Sequence, residues 1–367
     1  MSTDLKSTRY YALDALRGLT IAMMILVNTP GSWSYVYAPL EHADWHGATP
    51  TDLVFPFFLF VVGSAMFFSF SKIAFTWSSD QGLKILRRTA IIFAIGLIFN
   101  AVLMDNALAD IRIMGVLQRI ALAYGIAAVL VLTVGRVGIY ITAVLLLLGY
   151  WALMVFAGGG DPYGLESNVV THFDLQVLGA NHLWTGKGIP FDPEGLLSTV
   201  PSIVNVLIGF EVTRYLTSQA NKARAVSVLL CAGVLALGIG LLWNLWMPIN
   251  KSLWTSSFVV YTAGYFAILL ALFIWLIDIR NYDAIAKPLY IYGANPLFIY
   301  VLAAFWVHAY GWIPVGGGEN NFYQAFFLWF CKFLDPHNAS LAFALFHVVL
   351  FWVISLVLYK KKIFIKV

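Results

Sequence analysis

Apolar runs of about twenty residues recur along this chain, and no other feature limits its fold so strongly. A hydrocarbon layer about 30 Å thick takes roughly 20 helical residues to cross. Lipid offers no partner to an unpaired backbone amide, so such runs form helices. About ten can be marked, at 13–31, 52–71, 86–104, 113–134, 137–157, 196–216, 225–247, 255–277, 288–310 and 340–359. A shorter aromatic stretch, "NFYQAFFLWFCKFL" at 321–334, is too short to span and reads as interfacial or re-entrant. Composition agrees, since 61% of the 367 residues are hydrophobic and only 11% are charged, against a usual charged share of roughly 25%. The expected fold is an all-α integral membrane protein: a polytopic bundle of about ten transmembrane helices plus the short helix, in a single domain over 1–367. Internal repeats and low-complexity tracts are not evident.

The first run carries Asp14 and Arg17, lacks a small-x-small site and is followed by further spans, so it reads as a retained helix rather than a cleaved signal. Cys231 and Cys331 lie in or beside apolar segments and imply no disulfide framework. The net charge of +4 reflects where the basic residues sit and does not point to nucleic acid. Sorted by loop, Arg112, Lys187, Lys251 and Lys332 fall on one side, while Lys6, Arg9, Lys84, Arg87, Arg88, Lys360 and most other cations fall on the opposite side. The positive-inside rule then makes both termini cytoplasmic, in keeping with an even number of spans.

Polar residues at membrane depth are expensive and carry information. Asp14 and Arg17 are three apart and share a helix face near the cytoplasmic edge, either as a local ion pair or as a contact to an anionic ligand. Asn28, eleven residues beyond Arg17, stands about 16 Å higher on the same helix. Gln118 and Arg119 lie deep in their span, where Arg119 faces a cavity or pairs with an acid such as Glu211.

The loop "LEHADWHGATPTDLVFP" at 40–56 places titratable groups between two apolar runs, on the side away from the cytoplasm. Imidazole exchanges protons near neutrality, and Glu41 or Asp44 could orient the His42 ring as a carboxylate does in acid–base dyads. As metal ligands, His42, Asp44 and His46 would need a further cluster that the sequence does not supply. His46 reads as structural, and no chemistry is read into His172, His182, His337 or His347.

Six blocks give a more specific signal. "LDALRGLTIAMMILVN", "HADWHGATPTDLVFPFFLFVVGSAM", "GVLQRIALAYGIA", "FDPEGLLSTVPSIVNVLIG", "INKSLWTSSFVVYTAG" and "YGANPLFIYV" follow one another from residue 13 to about 301. In these blocks the chain resembles the heparan-α-glucosaminide N-acetyltransferase family, particularly its shorter bacterial members, within the wider transmembrane acyltransferases. The resemblance implies an enzyme that takes acetyl-CoA from the cytoplasm and acetylates the amine of a glucosamine-type sugar on the far side of the bilayer. It places the catalytic histidine on His42 and an essential asparagine on Asn28. The short form implies a bacterial inner membrane, and a homodimer is compatible with it. Animal members carry an added N-terminal domain and an extra span, and their second functional histidine after "IYV" is Ala303 here, with His308 later on the same helix.

The residues suit that reaction. A sugar ammonium must lose a proton before it attacks a thioester, and a histidine is suited to accept it. Negative charge then forms on the carbonyl oxygen and needs a preorganised donor, for which Asn28 comes first and Asn295 second. Arg17, Arg87 and Arg88 would hold the CoA phosphates at a cytoplasmic rim, with the pantetheine arm rising past Arg119 and Gln118. Asp192 and Glu194 in "FDPEG" would bind the acceptor, with Trp45, Trp184 and Trp254 as candidate sugar contacts and Lys251 placed to pair with one of the acids. Acids also suit a helix N-terminus and Trp a membrane interface. Direct transfer and an acetyl-imidazole route both use His42; positioning two substrates from opposite sides favours direct transfer. A polysaccharide O-acyltransferase shares the first-helix pattern, and a secondary transporter would show repeats or broken helices, which the sequence does not display.

Overall fold

The computed structural model of the chain describes residues 10–103, 108–316 and 320–365. Lys6, Arg9 and Lys366, part of the basic asymmetry, lie outside the described residues. Thirteen α-helices follow in order: α1 Tyr11–Asn28, α2 Val54–Ser71, α3 Ser79–Leu103, α4 Val116–Thr133, α5 Arg136–Ala157, α6 Val169–Leu178, α7 Thr199–Ser218, α8 Lys222–Trp243, α9 Ser256–Phe273, α10 Asp283–Tyr292, α11 Pro296–Ala309, α12 Phe322–Phe330 and α13 Pro336–Lys360. One short hairpin pairs β1 (Pro314–Val315) with β2 (Asn320–Asn321). The chain is an all-α polytopic integral membrane protein. Among the described residues, eight helices are long and apolar enough to cross a membrane, and nine segments if a bent pair counts as one span.

The expected segment at 196–216 is present as α7, but Asn205, Glu211 and Arg214 make it too polar to qualify on apolarity alone. It is nonetheless central. At Gly63 of α2 and Gly209 of α7 an added Cβ would lie 2.0 Å from a backbone oxygen of the other helix, so the missing side chains let the two backbones touch. Around this pair, α1, α2, α4 and α9 bury 56–72% of their apolar windows, whereas α3, α5, α8 and α13 bury only 22–28%. The second group therefore presents its Leu, Ile, Val and Phe side chains outward, as a lipid-facing ring.

Two expectations are corrected. The run at 288–310 is not one helix: α10 and α11 meet at 73°. Proline disfavours a helical residue before it, and Asn295, directly before Pro296, has φ −132° and ψ 58°. A broken helix thus exists, contrary to the sequence reading. The helix expected over 113–134 starts only at Val116, so Arg119 lies in its first turn rather than deep in the span. The aromatic stretch forms the nine-residue α12, too short to span as expected.

Loops 29–53, 108–115, 158–198 and 244–255, with 310–316 and 320–335, gather at one end of the bundle, here the His42 end. Backbone bonds tie them together: Gly47 N–H donates to Ile249 C=O at 2.7 Å and Ile113 N–H to His182 C=O at 3.2 Å. The opposite end carries Arg17. There Asp278 accepts both the Tyr11 and Ala12 amides at 3.0 Å.

Candidate active site

Asp52 organises the His42 loop. Thr49 and Asp52 form a capping box at the turn that leads into α2. Asp52 Oδ2 accepts the Thr49 amide at 2.9 Å and the Ala43 amide at 3.0 Å, which leaves Oδ1 to bond His42 Nδ1 at 2.7 Å. A carboxylate with these donors can only accept, so Nδ1 carries the proton and Nε2 of the neutral ring is the basic nitrogen. The orienting carboxylate is therefore Asp52 and neither Glu41 nor Asp44. Asp44 is exposed, and among the described residues only its backbone carbonyl is engaged, by Lys187 Nζ.

The 244–255 loop supplies the facing cation. Gly47, at φ +97°, adopts a conformation that suits glycine, and its bridge to Asn250 joins the two loops. Asn250 Oδ1 accepts the Leu253 amide at 2.8 Å, which closes the turn around Lys251. Lys251 Nζ then lies 3.3 Å from both His42 ring nitrogens and 3.9 Å from Asp52 Oδ1. Burial lowers the Lys251 pKa, against the pull of Glu194 and Asp52.

Behind this front lies a largely buried set of charges, of which Glu194 keeps one face on a cavity. Arg112 donates to Asp192 through Nε at 2.7 Å and Nη2 at 2.6 Å, and to Glu194 through Nη2 at 2.7 Å. Burial works to lower the Arg112 pKa, but its bonds to Asp192 and Glu194 raise it above the usual value. Burial opposes ionisation of Glu194, yet Arg112, Lys251 and Arg119 hold its pKa below the usual range. Arg119 is fully buried; its guanidinium lies 4.8 Å from the Trp254 ring and donates to Gly195 C=O at 3.2 Å and to Ser198 Oγ. Asp174 is pushed up to about 6, chiefly by burial.

Two cavities open beside these groups. The smaller, about 110 Å³, is lined by Asn28, His42, Thr51, Glu194, Lys251 and Tyr300 among others. The larger, about 380 Å³, is lined by Asn28, Trp33, Phe99, Tyr300, Ala303 and His308 among others. Asn28, exposed at the last residue of α1, belongs to both. Its amide has no hydrogen-bond partner among the described residues and is available to a ligand there.

Other expected residues are placed elsewhere. Trp254 is buried, with Nε1–H donating to Asn205 Oδ1 at 2.8 Å, and Asp192 is closed off by Arg112, so neither lines the two cavities. Trp45 is tied to Tyr163 C=O at 2.8 Å and packs on Phe191. Asn295 holds the C-terminal tail at the opposite end, donating to Ile363 C=O at 3.0 Å and accepting from the Ile365 amide at 2.7 Å. Gln118 fills the α3–α4 contact against Gly96 and Gly115, and neither it nor Arg119 lines either cavity. Glu211 pairs with Arg214 and Arg136, not with Arg119. Arg17 bonds Asp14 at 2.9 Å at the opposite end. Arg87 is exposed near the same end of α3, and Arg88 covers the Tyr124 ring at 4.7 Å. His46 engages Asn250 at 3.4 Å, so the histidines of the "HADWH" string turn to different partners.

The model of the heparan-alpha-glucosaminide N-acetyltransferase catalytic domain matches residues 9–239. The chain is similar to heparan-alpha-glucosaminide N-acetyltransferase of Homo sapiens, 26% identical over 98% of this chain and 60% of the relative. It is similarly related to that of Mus musculus, 27% identical over 98% and 61%. The chain thus spans about three fifths of the length of these curated relatives. With the matched region covering α1 to α7 and the His42 loop, the chain belongs to the heparan-alpha-glucosaminide N-acetyltransferase catalytic family.

Proposed function

We propose that the protein is a transmembrane N-acetyltransferase, which moves the acetyl group of acetyl-CoA to the amine of a glucosamine-type sugar, with His42 as general base. The observation that carries this is the Asp52–His42 pair, which leaves Nε2 as the basic nitrogen beside a cavity shared with Asn28. Family membership supports the reaction class.

In this reading the acyl end of the thin pantetheine arm enters the larger cavity, whose walls are mostly apolar and include Asn28. The phosphates stay at the Arg17 end, near Arg87 and Arg88, which is the cytoplasmic side by charge asymmetry. The sugar enters from the His42 end. His42 Nε2 takes a proton from its ammonium, and the freed amine attacks the thioester carbon. Asn28 donates to the carbonyl oxygen as negative charge develops. Asp52 favours the imidazolium that forms, the Lys251 ammonium can protonate the departing thiolate, and the second proton that the nitrogen loses as the amide forms restores the Lys251 ammonium. Glu194 is the acid left on the cavity wall to meet the sugar.

Proteoliposomes that enclose glucosamine and receive acetyl-CoA from outside test this reading. Acetylated glucosamine should accumulate inside, with CoA thiol released outside. Solute uptake without acetyl transfer would sink the enzyme reading and restore the transporter, for which the α10–α11 break is the structural argument.

A further inference from the structure

We propose that Lys251 is itself an acetyl acceptor, a self-acetylation site that is modified when acetyl-CoA is bound and no sugar amine is present. The inference rests on the acetyl-CoA reading above. Its basis is position. Lys251 Nζ lies 3.3 Å from both His42 ring nitrogens, over the face of the imidazole and within a side-chain rotation of the in-plane Nε2 lone pair, where a substrate ammonium would have to stand to give up its proton. It lines the same small cavity as Asn28, so donor carbonyl, base and amine converge there. At about 110 Å³ the cavity has room for about three waters, and so for an acetyl group. The side chain is only 17% exposed, which keeps bulk water from competing.

The other lysines at this end lack that setting. Lys187 is exposed on the Asp44 carbonyl, and Lys332 is exposed beyond α12. Burial also lowers the Lys251 pKa, which enlarges its neutral, nucleophilic fraction.

The step balances without a further reactant. Lys251 Nζ gives one proton to His42 Nε2 and attacks the acetyl carbon. The N–C bond forms and the C–S bond breaks. A second proton from nitrogen converts the departing thiolate to CoA thiol, the third stays on the amide, and His42 returns its proton to water. The product is a neutral acetyl-lysine. It no longer pairs with Asp52, so the modification switches the site off, and acceptor present from the start prevents it.

The test uses the purified full chain in detergent with acetyl-CoA. Acetylation is mapped by peptide mass spectrometry, and CoA release and glucosamine acetylation are followed in the same preparation. The expected result is a hydroxylamine-stable acetyl group on the Lys251 peptide, absent in Lys251→Arg and suppressed by saturating glucosamine. Its rate should fall by about 10²-fold or more in His42→Gln, with folding checked by gel filtration, because base assistance is worth that much. Glucosamine turnover with Lys251 unmodified in sugar-free samples overturns the proposal and leaves the transferase reading standing. Absence of both CoA release and sugar acetylation overturns both. Equal labelling of Lys187 and Lys332, or undiminished labelling of Lys251 in His42→Gln or in excess glucosamine, also overturns it, as indiscriminate chemical acetylation.

Discussion

His42 and His347 each engage one partner through Nδ1, at 2.7 and 2.8 Å, yet the two regions are built for opposite ends. His42 meets the Asp52 carboxylate, has a half-exposed side chain and lines a cavity. His347 is fully buried in α13, bonds the Phe343 carbonyl of its own helix, and is ringed by Tyr310, Phe326, Phe343, Phe346 and Phe351. A carboxylate stabilises an imidazolium; aromatic surroundings offer no counter-ion and no proton acceptor. The difference teaches that a histidine's partner and its access to a cavity decide its chemistry, more than depth in the bundle does.

The largest effect expected from disturbing the His42 region concerns its scaffold. Arg112→Ala leaves Asp192 and Glu194 buried without their cation, and breaking such a set typically costs about 3–5 kcal/mol. Thermal unfolding in detergent should show a marked loss of stability, with Arg112→Lys partly rescuing it. Unchanged stability would mean that water replaces the guanidinium and that the charges are not sealed.

Asp52→Asn comes next, since a hydrogen bond to a charged group is worth roughly 1.5–3 kcal/mol. Acetyl transfer should fall about 10- to 100-fold with the fold retained, because an amide can cap the turn but cannot balance an imidazolium. Equal activity in the variant would make Asp52 a capping residue alone.

Asp174 gives a smaller, pH-dependent effect. Its folded pKa, about 6, stands above an unfolded value of about 4. As pH rises from about 4 the unfolded chain ionises first, so this carboxyl's stabilising contribution is full below that pH and lost as pH climbs through 6. Stability measured across that range should fall in the wild type and fall less in Asp174→Asn; parallel curves would contradict it. Smallest of all is His347→Leu, which should leave transfer unchanged and stability equal or higher, since it removes a buried Nε2 without a partner.

The spans were legible because lipid demands long apolar helices, and His42 was legible from its loop and from the motif resemblance. Its partner was not. Asp52 hides at the front of a Phe-rich run and reads as the start of a span, although the Thr49-to-Asp52 capping spacing was available as a signal. Arg112 was sorted as a stray cation, because its two carboxylates lie some eighty residues away in sequence and only tertiary contact joins them. Trp254 and Asn295 sit in motif blocks, but the structure spends one under Arg119 and the other on the tail. Sequence blocks name residues that matter without separating those that hold the site from those that face its cavity.

The central claim, that the His42 imidazole held by Asp52 is the base for acetyl transfer, is tested most directly by one side-by-side assay. Wild type, His42→Gln and His347→Gln are purified, shown to be equally folded, and assayed for acetyl transfer from acetyl-CoA to glucosamine. The account predicts a loss of about 10²- to 10⁴-fold for His42→Gln and wild-type turnover for His347→Gln. Transfer by His42→Gln at a rate close to wild type would contradict it.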